Sequence, residues 1–388
     1  MTIGILSRTA VATCALCAAG ALALAPPVAA AGGDGADPGP PGRSRAAMPA
    51  PALLERSGTH VRLRAGAPEL PEVTALSWLV SDARTGEVLA AHDAHRRLPP
   101  ASTLKTLFAL TVLPALPADV RHTVSSEDLR GIGEGSSLVG VTAGHTYRVS
   151  DLWRGVFLNS GNDAVHVLAS LNGGWHHTAR QMQTKARALG ALDTHVLSPD
   201  GYDADGQVSS AYDLAVFGRA GLRNADFARY CSTAQAAFPG DGGTYEIANT
   251  NRLLTGANGV VPYPGLIGIK NGYTSNAGNT LVAAARQGGR TLVVTVLNPQ
   301  KGGGLAVYEE ARELLDWGFA AAGRVDPVGS LDGMRPVAHG PSVVTPAAAA
   351  AGDTPDWALT GTVAGAAGLG TAGVLLTLRA RARRGTRG

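Results

Sequence analysis

Three short strings in this chain carry side chains suited to chemistry: Ser102-Thr-Leu-Lys105, Ser160-Gly-Asn162 and Lys270-Asn-Gly272. A serine hydroxyl attacks only when a neighbour takes its proton, and a lysine three residues on along a helix lies on the same face. Burial lowers that lysine's affinity for protons and makes it a competent base. Pro99-Pro100 blocks a helix upstream and favours one from Ala101 onward. Ser102 is then expected in the first turn, where free backbone N–H groups and the helix dipole favour negative charge. Ser160 and Asn162 add a hydroxyl and an amide in a loop between two helical patterns. Lys270 adds a cation on an extended segment. There, Gly265, Gly268 and Gly272 leave room for something to lie alongside the backbone. The chemistry this set suits is acyl transfer through a serine ester, with a cation facing an anionic substrate end.

Taken singly, each string has an ordinary explanation. The first is an N-cap serine with a solvated lysine, the second an interhelix loop, the third a strand-end turn. The weight lies in their order along one chain: Ser-x-x-Lys, then Ser-x-Asn, then Lys-x-Gly beside the last strand pair.

The elements that must position them are legible in outline. Residues 76–82 alternate like a strand, 83–86 turn, and 87–91 return. A second hairpin is expected from 279–285 and 291–297, joined by 286–290. Between the hairpins the periodicity is helical over 102–113, 149–159, 164–171, 177–189 and 209–221. A last helix is expected over 305–319. Strands at both ends with helices between them imply a mixed α/β (α+β) domain. Its antiparallel sheet is assembled from the termini, flanked by helices, and a helical lobe is inserted in the middle.

The flanks read differently. Residues 1–31 look like a signal peptide, with Arg8, an apolar run over 9–25 and small residues at Val28-Ala-Ala-Ala31. Cys14 and Cys17 lack the small residue a lipid-attachment site wants before the cysteine. Residues 32–70 are expected as a disordered lead-in, 71–321 as the catalytic domain and 322–356 as a Pro/Ala-rich linker. Residues 357–378 carry no charge and suffice to cross a bilayer. The Arg-rich tail 379–388 then belongs in the cytoplasm, and the catalytic domain outside the cell membrane, held by one span.

The whole chain has a formal charge of +3, from 33 Lys+Arg and 30 Asp+Glu. Arg8 and five of the arginines lie in the two ends, which leaves 27 against 30 and an exported part near −3. Nothing in that balance suggests the basic face a nucleic-acid site needs, and no nucleic-acid partner is expected. No H-E-x-x-H or similar spacing suggests a catalytic metal, and no cofactor is implied. After export only Cys231 remains, so no disulfide within the chain is expected.

At this point the chain resembles the low-molecular-weight penicillin-binding proteins that act as D-alanyl-D-alanine carboxypeptidases. The resemblance runs from about 75 to 319. It includes VSDARTGEVLAAHDAHRRLPPASTLKTLFAL, GSSLVGVTAGHTYRVSDLWRGVFLNSGNDAVHVLA, MQTKARALGALDTHVLSPDGYD and GIKNGYTSNAGNTLVAAA. It implies a β-lactamase/transpeptidase-like fold, peptidoglycan stem peptides as substrate and β-lactams as ligands. It further implies Ser102 as nucleophile, Lys105 as its base and Ser160 as a proton relay. Asn162, Lys270, Asn271, Gly272 and Tyr273 are implied in substrate binding, with the N–H groups of Ser102 and Tyr273 as oxyanion hole. Two positions depart from the family pattern: Asn271 replaces a threonine that helps hold the substrate carboxylate, and Gln183 replaces an asparagine. A linker is expected where many relatives carry a second, all-β domain. A serine β-lactamase shares the three motifs but wants a deacylating glutamate in an E-x-x-L-N loop, which this sequence lacks. A wall-binding relative with a decayed site is suggested only by Asn271.

Overall fold

The computed structural model describes residues 53–332. It opens with β1 (Thr59–Val61) and the hairpin β2 (Ala75–Asp82) and β3 (Glu87–His92). A 3-10 turn, Ala101–Leu104, runs straight into α1 (Lys105–Val112). After the small hairpin β4 (Arg121–Thr123) and β5 (Thr146–Arg148) come α2 (Val149–Leu158), α3 (Asn162–Leu171) and α4 (Trp175–Ala188). Next are α5 (Ala211–Gly221), α6 (Ala225–Cys231), a hairpin of β6 (Gln235–Gly240) and β7 (Gly243–Ala248), and the short α7 (Arg252–Thr255). The chain closes with β8 (Leu266–Thr274), β9 (Gly278–Gln287), β10 (Arg290–Pro299), α8 (Ala306–Ala320) and β11 (Gly329–Ser330).

The main sheet is antiparallel, in the order β1-β3-β2-β10-β9-β8, with β11 also on β3. Its centre is the pairing of β2 with β10, Val80 opposite Val294. The two expected hairpins therefore meet, and the helical segments between them form the inserted lobe.

Strand alternation feeds two cores. Leu79, Val282, Ala284, Val293 and Leu297 pack with α1, α2 and α5. Their neighbours Trp78, Val80, Leu281, Ala283, Leu292 and Val294 pack with Leu314, Leu315 and Trp317 of α8. Period-two spacing thus puts apolar side chains on both faces, and a helix covers each. Two polar ties fix these layers. Glu310 of α8 accepts from the N–H and hydroxyl of Thr74 and from the N–H of Ala75, at the start of β2. Thr295 of β10 donates to the Ala211 carbonyl of α5 at 3.0 Å.

The ordered domain extends past both expected bounds. Residues 53–70 are not a loose lead-in: Thr59–Val61 pairs with β3, and Leu54 is buried. On the other side β11 adds to β3, and Leu63 bridges to Val325. These pieces cover an edge that β3 would otherwise expose. They are too short and too rich in Gly, Pro and Arg to show a period. The expected signal peptide 1–31, the span 357–378 and the tail 379–388 lie outside the described residues. Among the described residues no helix is long and apolar enough to cross a membrane.

Candidate active site

The helix expected from 102 begins as a 3-10 turn, and Ser102 lies in it. The preceding Ala101 has a φ of 49°, a conformation that L-residues rarely adopt. Its surroundings enforce it. The Thr280 hydroxyl holds the Pro100 carbonyl at 3.1 Å, and Gly201 packs so tightly that a Cβ there would lie 2.0 Å from the Ala101 oxygen. From this turn Lys105 reaches back. Its Nζ donates to Ser102 Oγ at 2.7 Å and to the Asp200 carbonyl at 2.7 Å. Lys105 is buried, and burial lowers its pKa to about 8, although Asp200 and Asp163 pull it upward.

From the helical lobe Asn162 lines the same cleft as Ser102, and Ser160, two residues before it, is buried. Ser160 is also held at positive φ, 57°, and its hydroxyl is buried with no partner among the described residues. Asn162 donates from Nδ2 to Ser136 Oγ at 3.0 Å, while its Oδ1 has no partner. Asp163 locks the arrangement. Its carboxylate accepts from the N–H groups of Val139, Gly140 and Val141 and from its own helix at Ala164, which ties the 136–141 loop to α3.

Lys270 comes from the sheet side, buried on β8, and donates to the Asn271 carbonyl at 2.8 Å. Burial, and then the nearby Lys105 charge, push its pKa well below the ordinary lysine value. Neither lysine has an ion-pair partner among the described residues. β8 is the last strand of the sheet order, so one of its edges carries no strand partner. Gly272 sits where this strand meets the Ser102 turn, and a Cβ there would lie 2.6 Å from the Ser102 nitrogen. Tyr273 follows at the mouth, 66% exposed.

Ser102, Asn162 and Tyr273 line a cleft of about 220 Å³. Lys105 and Lys270 are buried beside it. Ser160 and Asn271 are not among its lining residues. The Asn271 amide oxygen accepts from Thr250 Oγ1 at 2.9 Å, and the Tyr308 hydroxyl donates to the Thr250 carbonyl at 3.2 Å. A larger cavity of about 530 Å³, beside His166 and Trp175, contains none of these groups. A nucleophile with an adjacent base, a polar relay and a cation beside a free strand edge can together perform acyl transfer on a peptide terminus.

A family model described as D-alanyl-D-alanine carboxypeptidase matches residues 64–301. The chain belongs to this family. It is therefore a serine-type hydrolase, and the family match supports the carboxypeptidase reading over the β-lactamase one. The enzyme is 40% identical over 259 residues to D-alanyl-D-alanine carboxypeptidase DacB2 of Mycobacterium tuberculosis, across 66% of this chain and 86% of that one. To DacD of Escherichia coli it is 35% identical over 263 residues, across 65% of this chain and 64% of the relative. Among solved structures, the D-alanyl-D-alanine carboxypeptidase of M. tuberculosis superposes with a TM-score of 0.63 at 38% identity. That overlap covers 69% of this chain and 99% of the other. The Streptomyces K15 DD-transpeptidase gives 0.60 at 27%, covering 65% and 100%.

Several residues of the carboxypeptidase cleft escaped the sequence reading. Glu134, Ser136, Ser137, Tyr202 and Asp203 all line it. The Tyr202 ring lies against Gly133, where a Cβ would meet it at 2.6 Å, and its hydroxyl donates to the Glu134 carbonyl at 2.8 Å. Two loops far apart in sequence thus meet at the cleft. Gln183, noted as a departure, has a local role. Its amide bonds the Thr194 carbonyl and the Val196 N–H, steadying the segment that leads to Asp200.

Proposed function

We propose that this enzyme removes the terminal D-alanine from peptidoglycan stem peptides through an ester on Ser102, and that β-lactams acylate the same serine. The observation that carries this reading is the Lys105 ammonium at 2.7 Å from the Ser102 hydroxyl, buried and without an ion pair. In its neutral form Lys105 takes the Ser102 proton as Oγ attacks the carbonyl between the two D-alanines. The Ser102 and Tyr273 N–H groups receive the developing oxyanion, a contribution of about 3 kcal/mol per donor in such sites. The bare Gly272 backbone supports this, because it leaves the Ser102 nitrogen open. Ser160, whose hydroxyl has no partner, passes the proton to the leaving amine. The C–N bond breaks and D-alanine departs with its amine neutral. Water then attacks the ester, and Lys105 takes its proton and returns one to Ser102. Lys270, buried without a counter-ion, awaits the carboxylate of the departing residue.

The unpartnered Ser160 hydroxyl and Asn162 oxygen support a working site rather than a relic, because buried polar atoms are ordinarily satisfied. Release of D-alanine from a pentapeptide by the purified protein tests the proposal. Stoichiometric release per turnover supports it, and none over hours at micromolar enzyme contradicts it.

The apolar run over 9–25 and the uncharged stretch 357–378 before five arginines support export and a single-span tether, with the catalytic domain outside. Protease treatment of intact cells tests this: the domain should be shaved off while a short basic remnant stays in the membrane fraction.

A further inference from the structure

The larger cavity lies across a loop from the catalytic cleft. Arg130 and Gly131 line the cavity, and Glu134 and Ser136, a few residues on, line the cleft. Helix α3 is a second shared wall, with Asn162 on the cleft and His166, about one turn later, on the cavity. One turn rises about 5.4 Å, so the two spaces are neighbours. The charges around the cavity are already matched. Glu127 pairs with Arg130, and Asp128 meets the His122 ring at 2.9 Å and accepts from the Ser125 N–H. Among the described residues no three His, Cys, Asp or Glu side chains could share a metal ion. What remains unmatched is uncharged. Trp175, half-buried at the start of α4, stacks on His166 with ring centroids 4.1 Å apart, and its indole N–H has no partner among the described residues. His166 is 7% exposed, and its Nε2 also lacks a partner there. Burial lowers the His166 pKa, so the ring is mainly neutral at pH 7 and able to accept a hydrogen bond.

We infer that this cavity holds a sugar unit of the glycan to which the stem peptide is joined, with the sugar seated on Trp175 and a hydroxyl donating to His166 Nε2. This rests on the carboxypeptidase reading above. A cavity of about 530 Å³ has the size of ordinary small-ligand sites. An indole face covers the C–H side of a sugar ring, while the indole N–H and the imidazole nitrogen, one donor and one acceptor, answer its hydroxyls. Because the surrounding charges are paired, an ion would gain no counter-charge for the water it loses, and an uncharged polyhydroxyl ligand fits better. The reach fits as well. In a pentapeptide four residues precede the scissile bond, and extended they span about 13 Å. That length carries the chain from Ser102 out of the cleft and over the 130–136 loop.

The test compares D-alanine release from a free pentapeptide and from the same pentapeptide joined to its N-acetylated disaccharide. Wild type should favour the disaccharide form by about tenfold in kcat/KM, through a lower KM. In Trp175→Ala the ratio should fall below about twofold, and in Trp175→Phe, which keeps an aromatic face, it should stay near about fivefold. Each ratio is taken on one sample, so any loss of folded enzyme cancels. A wild-type ratio near one, or a ratio unchanged in Trp175→Ala, overturns the inference. A second readout needs no turnover: calorimetric titration with tetra-N-acetylchitotetraose, a soluble saccharide without a peptide, before and after the enzyme is treated with penicillin. Binding that survives the penicillin and weakens at least about fivefold in Trp175→Ala supports a saccharide site outside the cleft. No binding, or binding that penicillin abolishes, overturns it. Release from neither peptide overturns the carboxypeptidase reading, and the titration on untreated enzyme then decides the saccharide site by itself.

Discussion

The amine of Lys105 stands 2.7 Å from the Ser102 hydroxyl and equally close to the Asp200 carbonyl. The second contact gives the first its value. A lysine stem is flexible, and a lone contact to a serine would be one rotamer among many. The Asp200 carbonyl holds the amine in place without neutralising it. Burial then lowers the pKa to about 8, from 10.5 for a free lysine. Position and basicity both come from where the 3-10 turn places the side chain.

The first prediction concerns pH. Lys105 acts as base only when neutral, so acylation should speed up as pH rises through about 8. Below that value the rate should fall close to tenfold per pH unit. Stopped-flow labelling with a fluorescent penicillin between pH 6 and 9.5 checks this. A flat profile would contradict the assignment of Lys105 as base.

Lys105 should also cost stability. Its pKa is about 8 folded and 10.5 in the free residue, so the folded state binds fewer protons between these values. Stability rises with pH over that window, and below it the full penalty, about 3 kcal/mol, is in force. Lys105→Met keeps the stem and removes the charge, but loses two hydrogen bonds of about 1 kcal/mol each. At pH 7 the variant should be inactive yet melt about 3 °C higher, and the gain should vanish by pH 10.5. A lower melting temperature at pH 7 would mean that the hydrogen bonds outweigh the burial.

Gly272 should tolerate no side chain. A Cβ there meets the Ser102 nitrogen at 2.6 Å and Thr280 Oγ1 at 2.8 Å. Gly272→Ala should push the nucleophile turn away from β8 and lower acylation at least 100-fold. Circular dichroism should show the secondary structure intact. Acylation within threefold of wild type would place the oxyanion elsewhere.

The Asn271 side chain is held by the Thr250 hydroxyl rather than lining the cleft. Asn271→Thr supplies a short hydroxyl donor at this strand position. We expect D-alanine release from a pentapeptide to rise severalfold through a lower KM. An unchanged or higher KM would show that the site has adapted to asparagine.

Much of this was legible in the sequence, for reasons that differ by element. The hairpins of β2–β3 and β9–β10 showed because their strands are long and their turns polar. The triad of motifs showed because chemistry fixes residue type and order. The β6–β7 hairpin did carry a signal, the two-residue turn Asp241-Gly242, but its strands are mostly exposed and lack an apolar period. β1 and β11 are three and two residues long, below any periodic signal. Glu134, Tyr202 and Asp203 lie in loops, and only the tertiary meeting of those loops makes them one surface. The same holds for Asp200, whose contribution is a backbone carbonyl that no side-chain pattern encodes.

The nucleophile is the central claim, and one measurement reaches it most directly. Wild type and Ser102→Ala are incubated with fluorescent penicillin, and each is digested and its labelled peptides are sequenced by mass. The wild type should carry one adduct, on the peptide containing Ser102, and the folded variant none. An adduct that persists in Ser102→Ala, or that maps to another serine in the wild type, would contradict the account.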